Sequence, residues 1–386
     1  MRILLNGMPV LGRMTGIGQY AFRLLEGLGD HPDVEAVDVF DGSDIIALPA
    51  FLSRVRNGGP ADRAEKWKRL VRTRVPYARE MAARWRARRF RQGSHRQAWS
   101  VYHEPNYVSQ RFPGAVVTTV CDMSFVRYPQ FLPRDRLDWL RRRFHDSIMR
   151  SDAVIAISRF TRDEILELCP RVDPQRIVVT PLGVDADYVP ADREHDSADA
   201  QIRHWGLPAR FILCLGTLEP RKNLQGLLTA FRRLPADVQQ AYPLVLAGTA
   251  GWREHYFRPM IDQLRREGLL YELGYVRREL VPALMRAASV FCFPSFYEGF
   301  GLPPLEAAAC GTPVVCSRAA SLPEVMGDAA VYLDPASPEE LSAALLRVLE
   351  DQALREELGT AGPRRAAEFT WRKCVHATVA AYRAAA

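Results

Sequence analysis

Three loops in the chain combine residue types that hold phosphates and hydroxyl groups. In the first, Gly216-Thr217-Leu218-Glu219-Pro220-Arg221-Lys222-Asn223 joins the apolar run Phe211–Leu215 to a helical pattern. Adjacent cations at Arg221 and Lys222 repel each other, so a dianion such as a pyrophosphate is their natural partner. The second, Phe296-Tyr297-Glu298-Gly299-Phe300-Gly301-Leu302-Pro303-Pro304-Leu305-Glu306, directly follows the apolar run Val290–Phe293. Gly299, Gly301 and Pro303 break any helix across its first part, which assigns Glu298 to a loop and Glu306 to the helix after it. Between the two carboxylates lie the amides of Phe300, Gly301 and Leu302, where a helix N-terminus attracts an anion. A ligand with hydroxyls at both ends and phosphates in the middle fits that pattern, and a nucleotide sugar is such a ligand. The third loop, Thr15-Gly16-Ile17-Gly18-Gln19-Tyr20, reads either as a close approach of backbone to phosphate or as a plain tight turn. It does not match the dinucleotide fingerprint, because its glycines come late and no third one is correctly spaced.

Short apolar runs alternate with longer amphipathic ones and must position these loops. The expected strands are Arg2–Leu5, Val37–Phe40, Val101–His103, Val116–Val120, Ala153–Ile157 and Ile177–Thr180, then Phe211–Leu215, Leu244–Ala247, Val290–Phe293, Pro313–Cys316 and Ala330–Leu333. Helical patterns between them include Gly18–Leu28, Arg134–Arg150, Thr161–Cys169, Asn223–Arg233, Leu302–Cys310 and Pro338–Asp351. Such alternation predicts an α/β protein with parallel sheets covered by helices. The rhythm breaks once, in an acidic stretch without apolar periodicity. The division is therefore a first Rossmann-like domain over 1–185, a linker over 186–208, and a second Rossmann-like domain over 209–370. An Ala-rich helix over 371–386 is expected to cross back onto the first domain. Ligands of open α/β sheets bind beyond the carboxyl ends of the strands, so two such domains facing each other imply an interdomain cleft.

With 48% apolar and 25% charged residues in 386, the chain has the composition of an ordinary globular protein and is long enough for two or three domains. Its seven cysteines form no CxxC pair, which argues against a disulfide framework or a zinc site. No stretch reaches the length of a spanning helix, and a cytoplasmic location is the default expectation. The net charge of +7 is unevenly spread: residues 54–96 hold 15 Lys/Arg against three acids, a net +12, and the remainder stands at −5. Within that segment Trp67, Val71, Val75, Ala78, Ala82 and Trp85 recur at helical spacing, with a break at Pro76. Two basic amphipathic helices follow, serving either as a core-facing stripe with a solvated face or as a dock for anionic lipid on the inner face of the cytoplasmic membrane. No recognised nucleic-acid module accompanies the charge.

The stretch Glu298 to Glu306 resembles the E-x7-E signature of the retaining glycosyltransferases of family 4, which have the GT-B fold: two Rossmann-like domains whose parallel sheets face an interdomain cleft. The resemblance covers most of the chain. Tyr102-His103-Glu104-Pro105-Asn106-Tyr107, Ala156–Thr161, Pro181-Leu182-Gly183-Val184-Asp185, Gly216–Asn223, Gly274-Tyr275-Val276 and Gly311-Thr312-Pro313-Val314-Val315 are similar to that family in order and spacing. The resemblance implies that Arg221 and Lys222 hold the donor diphosphate, Glu298 accepts from sugar hydroxyls and Glu306 from ribose hydroxyls. Backbone at Phe300, Gly301 and Leu302 would meet sugar and phosphate, Gly16 would approach the diphosphate from the first domain, and the Tyr275–Val276 backbone would lie against the base. One departure concerns Cys121-Asp122-Met123-Ser124-Phe125, where the family usually has His-Asp-x-Ser-Phe. Cysteine lacks the reach and donor strength of imidazole, which makes Asp122 the nearest polar candidate. His103, in a different loop, reads as acceptor-side or structural.

No cofactor is expected beyond the nucleotide sugar as co-substrate. The only Asp-x-Asp string, Asp185-Ala186-Asp187, falls at the linker, where chance or solvation explains it better than a metal. The expected function is retaining, metal-independent transfer of a hexose to a lipid-linked glycan of a surface polysaccharide, with GDP-mannose the first donor and UDP-glucose, UDP-galactose or a rhamnose donor as alternatives. Glu298→Ala is expected to cut turnover and leave folding intact. A GT-B epimerase of nucleotide sugars and a non-catalytic glycan-binding module are the competing readings.

Overall fold

The computed structural model describes residues 1–12, 14–57, 78–95, 97–190, 202, 204–249, 251 and 256–386. The expected first basic helix, with Trp67, Val71 and Val75, and most of the 186–208 linker lie outside them. The chain forms two compact units: Met1–Met123, Asp135–Leu182 and Trp371–Ala386 make the first, Ser124–Arg134 and Gly183–Thr370 the second.

The first unit is built on a seven-stranded sheet of β1 (Arg2–Asn6), β2 (Ala36–Phe40), β3 (Ile45–Ala47), β4 (Val101–Glu104), β5 (Ala115–Val120), β6 (Ala153–Ala156) and β7 (Ile177–Val179). Their order is β3-β2-β1-β4-β5-β6-β7, parallel except for β3 against β2. Continuous apolar stretches such as Ile3-Leu4-Leu5 and Val154-Ile155-Ala156 are buried, as both faces of a helix-covered parallel sheet require. The first-domain β3 was not legible in sequence, because three residues directly before a helix carry no alternation to detect.

The Ala-rich C-terminal segment forms the helix Trp371–Ala385 and belongs to the first unit. Val375, Val379 and Tyr382 are buried along one of its faces. A buried polar chain pins it: the Tyr382 hydroxyl is 2.6 Å from His103 Nδ1, whose Nε2 is 2.8 Å from Thr119 Oγ1, itself 2.9 Å from the Tyr20 hydroxyl. Burial holds His103 down to about 3, so the ring is neutral, donating through one nitrogen and accepting through the other. His103 is thereby structural.

The second unit carries a six-stranded, wholly parallel sheet of β8 (Ile212–Leu215), β9 (Leu244–Ala247), β10 (Leu270–Gly274), β11 (Val290–Phe293), β12 (Val314–Ser317) and β13 (Val331–Leu333), in the order β10-β9-β8-β11-β12-β13. Strand β10 escaped the sequence reading because Glu272 interrupts its apolar run. At this sheet edge the carboxylate is met by Arg258 at 2.9 Å and Arg265 at 3.2 Å. The helix Gln352–Ala366 also lacks a clear apolar stripe. It packs through glycines instead: a Cβ at Gly362 would come within 2.5 Å of the Ala308 carbonyl of the helix Leu302–Ala309. Segment 124–134, which the sequence placed in the first domain, clusters with the second unit, where Tyr128 packs on Tyr297 and Phe131 on Phe296. All seven cysteines are free and buried.

Candidate active site

In each sheet the strand order reverses once, between β1 and β4 in the first unit and between β8 and β11 in the second. Such reversal points open a crevice beyond the strand ends, where ligands of this architecture bind. In the second unit the loops after β8 and β11 hold the candidate residues Arg221, Lys222 and Glu298.

After β8, Pro220–Lys222 forms a single 3-10 turn, and Asn223 follows in the left-handed region at φ 54°. Asn223 caps the helix Leu224–Arg233 by accepting from the Gly226 amide at 3.2 Å. This turn reverses the chain so that Arg221 and Lys222 both reach the loop after β11. Arg221 donates through Nε and Nη2 to Glu219 Oε1 at 3.1 and 2.8 Å, and through Nη1 to the Tyr297 carbonyl at 2.6 Å. Its Nη1 also lies 3.0 Å from Glu298 Oε1. Lys222 Nζ donates to the same Glu298 oxygen at 2.7 Å and sits 4.5 Å above the Phe293 ring. The repulsion between the two cations is thus relieved within the protein by Glu219 and Glu298. Sequence reasoning assigned that task to a bound dianion alone and missed Glu219, two residues before Arg221.

Glu298 is 8% exposed. Burial pushes its carboxyl upward, but Arg221 and Lys222 outweigh it and hold the group down to about 2. It is a permanently ionised acceptor, unsuited to donate a proton. Its backbone carbonyl accepts from Ser321 Oγ at 2.8 Å, which fixes the loop. Glu298→Ala would take from Lys222 its carboxylate partner and leave Arg221 with Glu219, so a cost in stability is expected beside the loss of turnover.

Gly301 caps the helix Leu302–Ala309 at φ 100°, and a Cβ there would fall 2.5 Å from Leu322 Cδ2. Only glycine meets both demands. Pro303 and Pro304 carry no N–H, so the amides at this helix start come from Leu302 and from Phe300 and Gly301 before it. Phe300 and Leu302 are themselves buried, Phe300 against Phe369. A second close approach involves Gly248, unrecognised in the sequence although it directly follows the β9 run. At φ 144°, a Cβ on it would meet the Gly216 carbonyl at 1.8 Å, so no side chain fits where the ends of β8 and β9 touch.

Glu306, buried on the helix, accepts from Arg278 Nη2 at 3.2 Å, and the same nitrogen donates to Asp185 Oδ2 at 2.7 Å. Burial opposes the charge on Arg278, yet Glu306, Tyr188 and Asp185 together hold it more firmly than usual. Asp185 is 7% exposed, which corrects its reading as a solvated linker residue; Asp187, two positions on, is exposed. Arg278, missed at the sequence level, was detectable only as one of an arginine pair four residues after Gly274. Tyr275 is 48% exposed and Val276 buried, immediately after β10.

The remaining sequence-derived candidates belong to the first unit. Gly16 opens the helix Gly16–Gly29, with nothing within 4 Å of where its Cβ would stand. Asp122 follows β5 and hydrogen-bonds the buried Tyr107. Cys121 is buried, with Sγ 3.7 Å from the Pro105 carbonyl, and burial pushes its thiol upward, out of reach of thiolate chemistry. The structure therefore gathers Arg221, Lys222 and Glu298 into one cluster and Glu306, Arg278 and Asp185 into another, both in the second unit.

Two parallel-sheet α/β units, with a cation pair and two buried carboxylates at the second sheet's reversal point, define a GT-B glycosyltransferase. Family models agree: residues 15–188 match Glycosyltransferase Family 4 and residues 198–365 match Glycosyl transferases group 1. The chain is 35% identical over 393 residues to O-antigen chain mannosyltransferase B of Escherichia coli, covering 99% of this chain and 100% of that protein. It belongs to this glycosyltransferase family. Among solved structures it is similar to the sucrose-phosphate synthase of Thermosynechococcus elongatus, with TM-score 0.76, 22% identity, and 99% and 98% of the two chains covered. WaaG, a glycosyltransferase involved in lipopolysaccharide biosynthesis, matches with TM-score 0.70, 15% identity, and coverage of 99% and 98%.

Proposed function

We propose that this glycosyltransferase moves mannose from GDP-mannose to a lipid-linked glycan in O-antigen or related surface-polysaccharide synthesis, with retention of configuration and without a metal. The observation that carries the reading is full-length similarity to an O-antigen chain mannosyltransferase, joined to the pairing of Arg221 and Lys222 with Glu298.

The donor diphosphate would be held by Arg221, Lys222 and the amides of Phe300 to Leu302, a fixed positive field aimed at the charge that develops on the leaving group. As the bond from the anomeric carbon to the phosphate oxygen breaks, an acceptor hydroxyl attacks from the same face and its proton passes to that phosphate oxygen. Glu298, ionised throughout, orients sugar hydroxyls and stabilises oxocarbenium character, while Glu306, steadied by Arg278, accepts from the ribose.

Of the basic segment, the described helix Ala78–Ser94 supports an attachment to anionic membrane. Phe90 is buried against Phe40 and Tyr102, whereas Met81 and Trp85 are 66% and 53% exposed. Trp85 thus stands outward rather than in a core stripe, among arginines that favour anionic lipid. Among the described residues no helix is long and apolar enough to cross a membrane.

The test is a panel of GDP-, UDP- and TDP-sugars with a lipid-linked acceptor, in EDTA, with the product anomer read by NMR. GDP-mannose turnover to an α-linked product supports the reading. Conversion of donor without acceptor indicates the epimerase, and binding without turnover the glycan-binding module; either result overturns it.

A further inference from the structure

A second cationic site lies wholly within the first unit. The helices Ala78–Ser94 and Arg134–Arg150 and the segment 108–111 after β4 border a half-open cavity of about 390 Å³. Four arginines line it, Arg91, Arg111, Arg143 and Arg150, against the single carboxylate of Asp146. Positions 143, 146 and 150 share one face of their helix.

The walls are built rather than incidental. Ser109, buried, accepts at its hydroxyl or donates to Ser147 Oγ at 2.9 Å, and its amide donates to that oxygen at 2.8 Å, locking the 108–111 segment to the second helix. Arg150 Nη2 donates to the Ser109 carbonyl at 3.3 Å, and Arg143 ties the helices together through Glu80 at 2.5 Å. Of the four arginines Arg143 is paired with Glu80, whereas Arg91 and Arg111 are exposed at the cavity's edge. Burial and then the neighbouring Arg111 charge make Arg150 harder to keep protonated than usual, and Asp146 only partly offsets them. Guanidinium groups lining one cavity are suited to phosphate oxygens, which they can bind bidentately. The volume falls at the small end for ligand pockets. A diphosphate with its first attached group suits both.

We propose that this arginine-lined cavity binds the diphosphate of a lipid-linked acceptor. The identity of the carrier rests on the function proposed above; the anion class rests on the cavity alone. Helical geometry of about 100° per residue sets Ala87 and Arg91 on the flank between inward Phe90 and outward Met81 and Trp85. A diphosphate carried at a membrane surface would therefore meet the cavity beside the exposed apolar pair.

The test titrates the full-length chain with sodium pyrophosphate by calorimetry, comparing the wild type, R91A/R111A and K222A, with folding checked by circular dichroism. Arg91 and Arg111 are exposed, so their truncation is compatible with folding. R91A/R111A should weaken one pyrophosphate site at least tenfold that K222A retains, and should raise KM for a polyprenyl-diphosphate-linked acceptor at least tenfold while donor KM moves less than twofold. Indistinguishable isotherms for the wild type and R91A/R111A overturn the proposal. So does a loss confined to phosphatidylglycerol vesicles with pyrophosphate binding unchanged, which would assign the cavity to a lipid headgroup. Should GDP-mannose prove not to be the donor, the pyrophosphate titration still decides this site independently.

Discussion

Each unit places a buried glutamate at the point where its strand order reverses, and the two are held in opposite ways. Glu104, the last residue of β4, accepts from Asn6 Nδ2 at 2.7 Å, Tyr102 hydroxyl at 2.9 Å and the Asn106 amide at 3.2 Å. Burial dominates these neutral donors and raises its carboxyl to about 8. Glu298, beyond β11, is as deeply buried but faces two cations and is held down to about 2. The same carboxylate in the same topological place is a structural polar group in one unit and a fixed negative charge in the other. Partner chemistry makes the difference, since neutral donors cannot offset desolvation as a full opposite charge does.

The largest expected effect comes from E298Q. Removing the charge leaves Lys222 without a carboxylate and Arg221 with Glu219 alone, and should cost about 3 kcal/mol in urea unfolding. It should also lower transfer by roughly 100-fold or more, as expected of an electrostatic group at developing charge. E104Q, which strands no cation, should cost only about 1–2 kcal/mol. Equal losses for the two variants would break the comparison.

Next comes R278A, which leaves Asp185 and Glu306 without their shared guanidinium. About 2 kcal/mol of stability and a higher donor KM are expected, reduced from the fully buried case because the side chain is about one-third exposed. R278K should recover part of the stability but less of the donor affinity, because one ammonium does not reproduce the fork.

Stability against pH separates the two carboxylates by sign. An unfolded glutamate titrates near about 4.3, so the Glu298 contribution is full above that value and is lost as pH falls toward 2. Glu104 contributes fully below about 4.3 and loses its contribution as pH rises through 8. The urea midpoint of E298Q should flatten between about 4.3 and 2 and that of E104Q between about 4.3 and 8; an unaltered profile for either removes that residue from the account. The smallest effect is Y382F, which takes the hydroxyl from His103 and should cost about 1 kcal/mol with little change in transfer.

Sequence patterning reached most of the architecture, because buried parallel strands and amphipathic helices write their periodicity directly into residue order. Leu244–Ala247, Val290–Phe293 and Arg134–Arg150 fall where expected, to the residue. Strand β10 and the helix Gln352–Ala366 did not, since one is stabilised by edge ion pairs and the other by close backbone contact at glycines. The candidate site divides similarly: Arg221, Lys222, Glu298 and Glu306 were visible as charges beside strand ends, whereas Glu219, Asp185, Arg278 and Gly248 were not.

Residue order alone determined which groups stand at the ends of which strands, because local periodicity fixes the elements and the loops between them. Only the tertiary structure decided what those groups face. Asp185 and Arg278 are 93 positions apart, and Lys222 and Glu298 are 76 apart. Strand order brings such residues together, and burial then sets whether each carboxylate is charged.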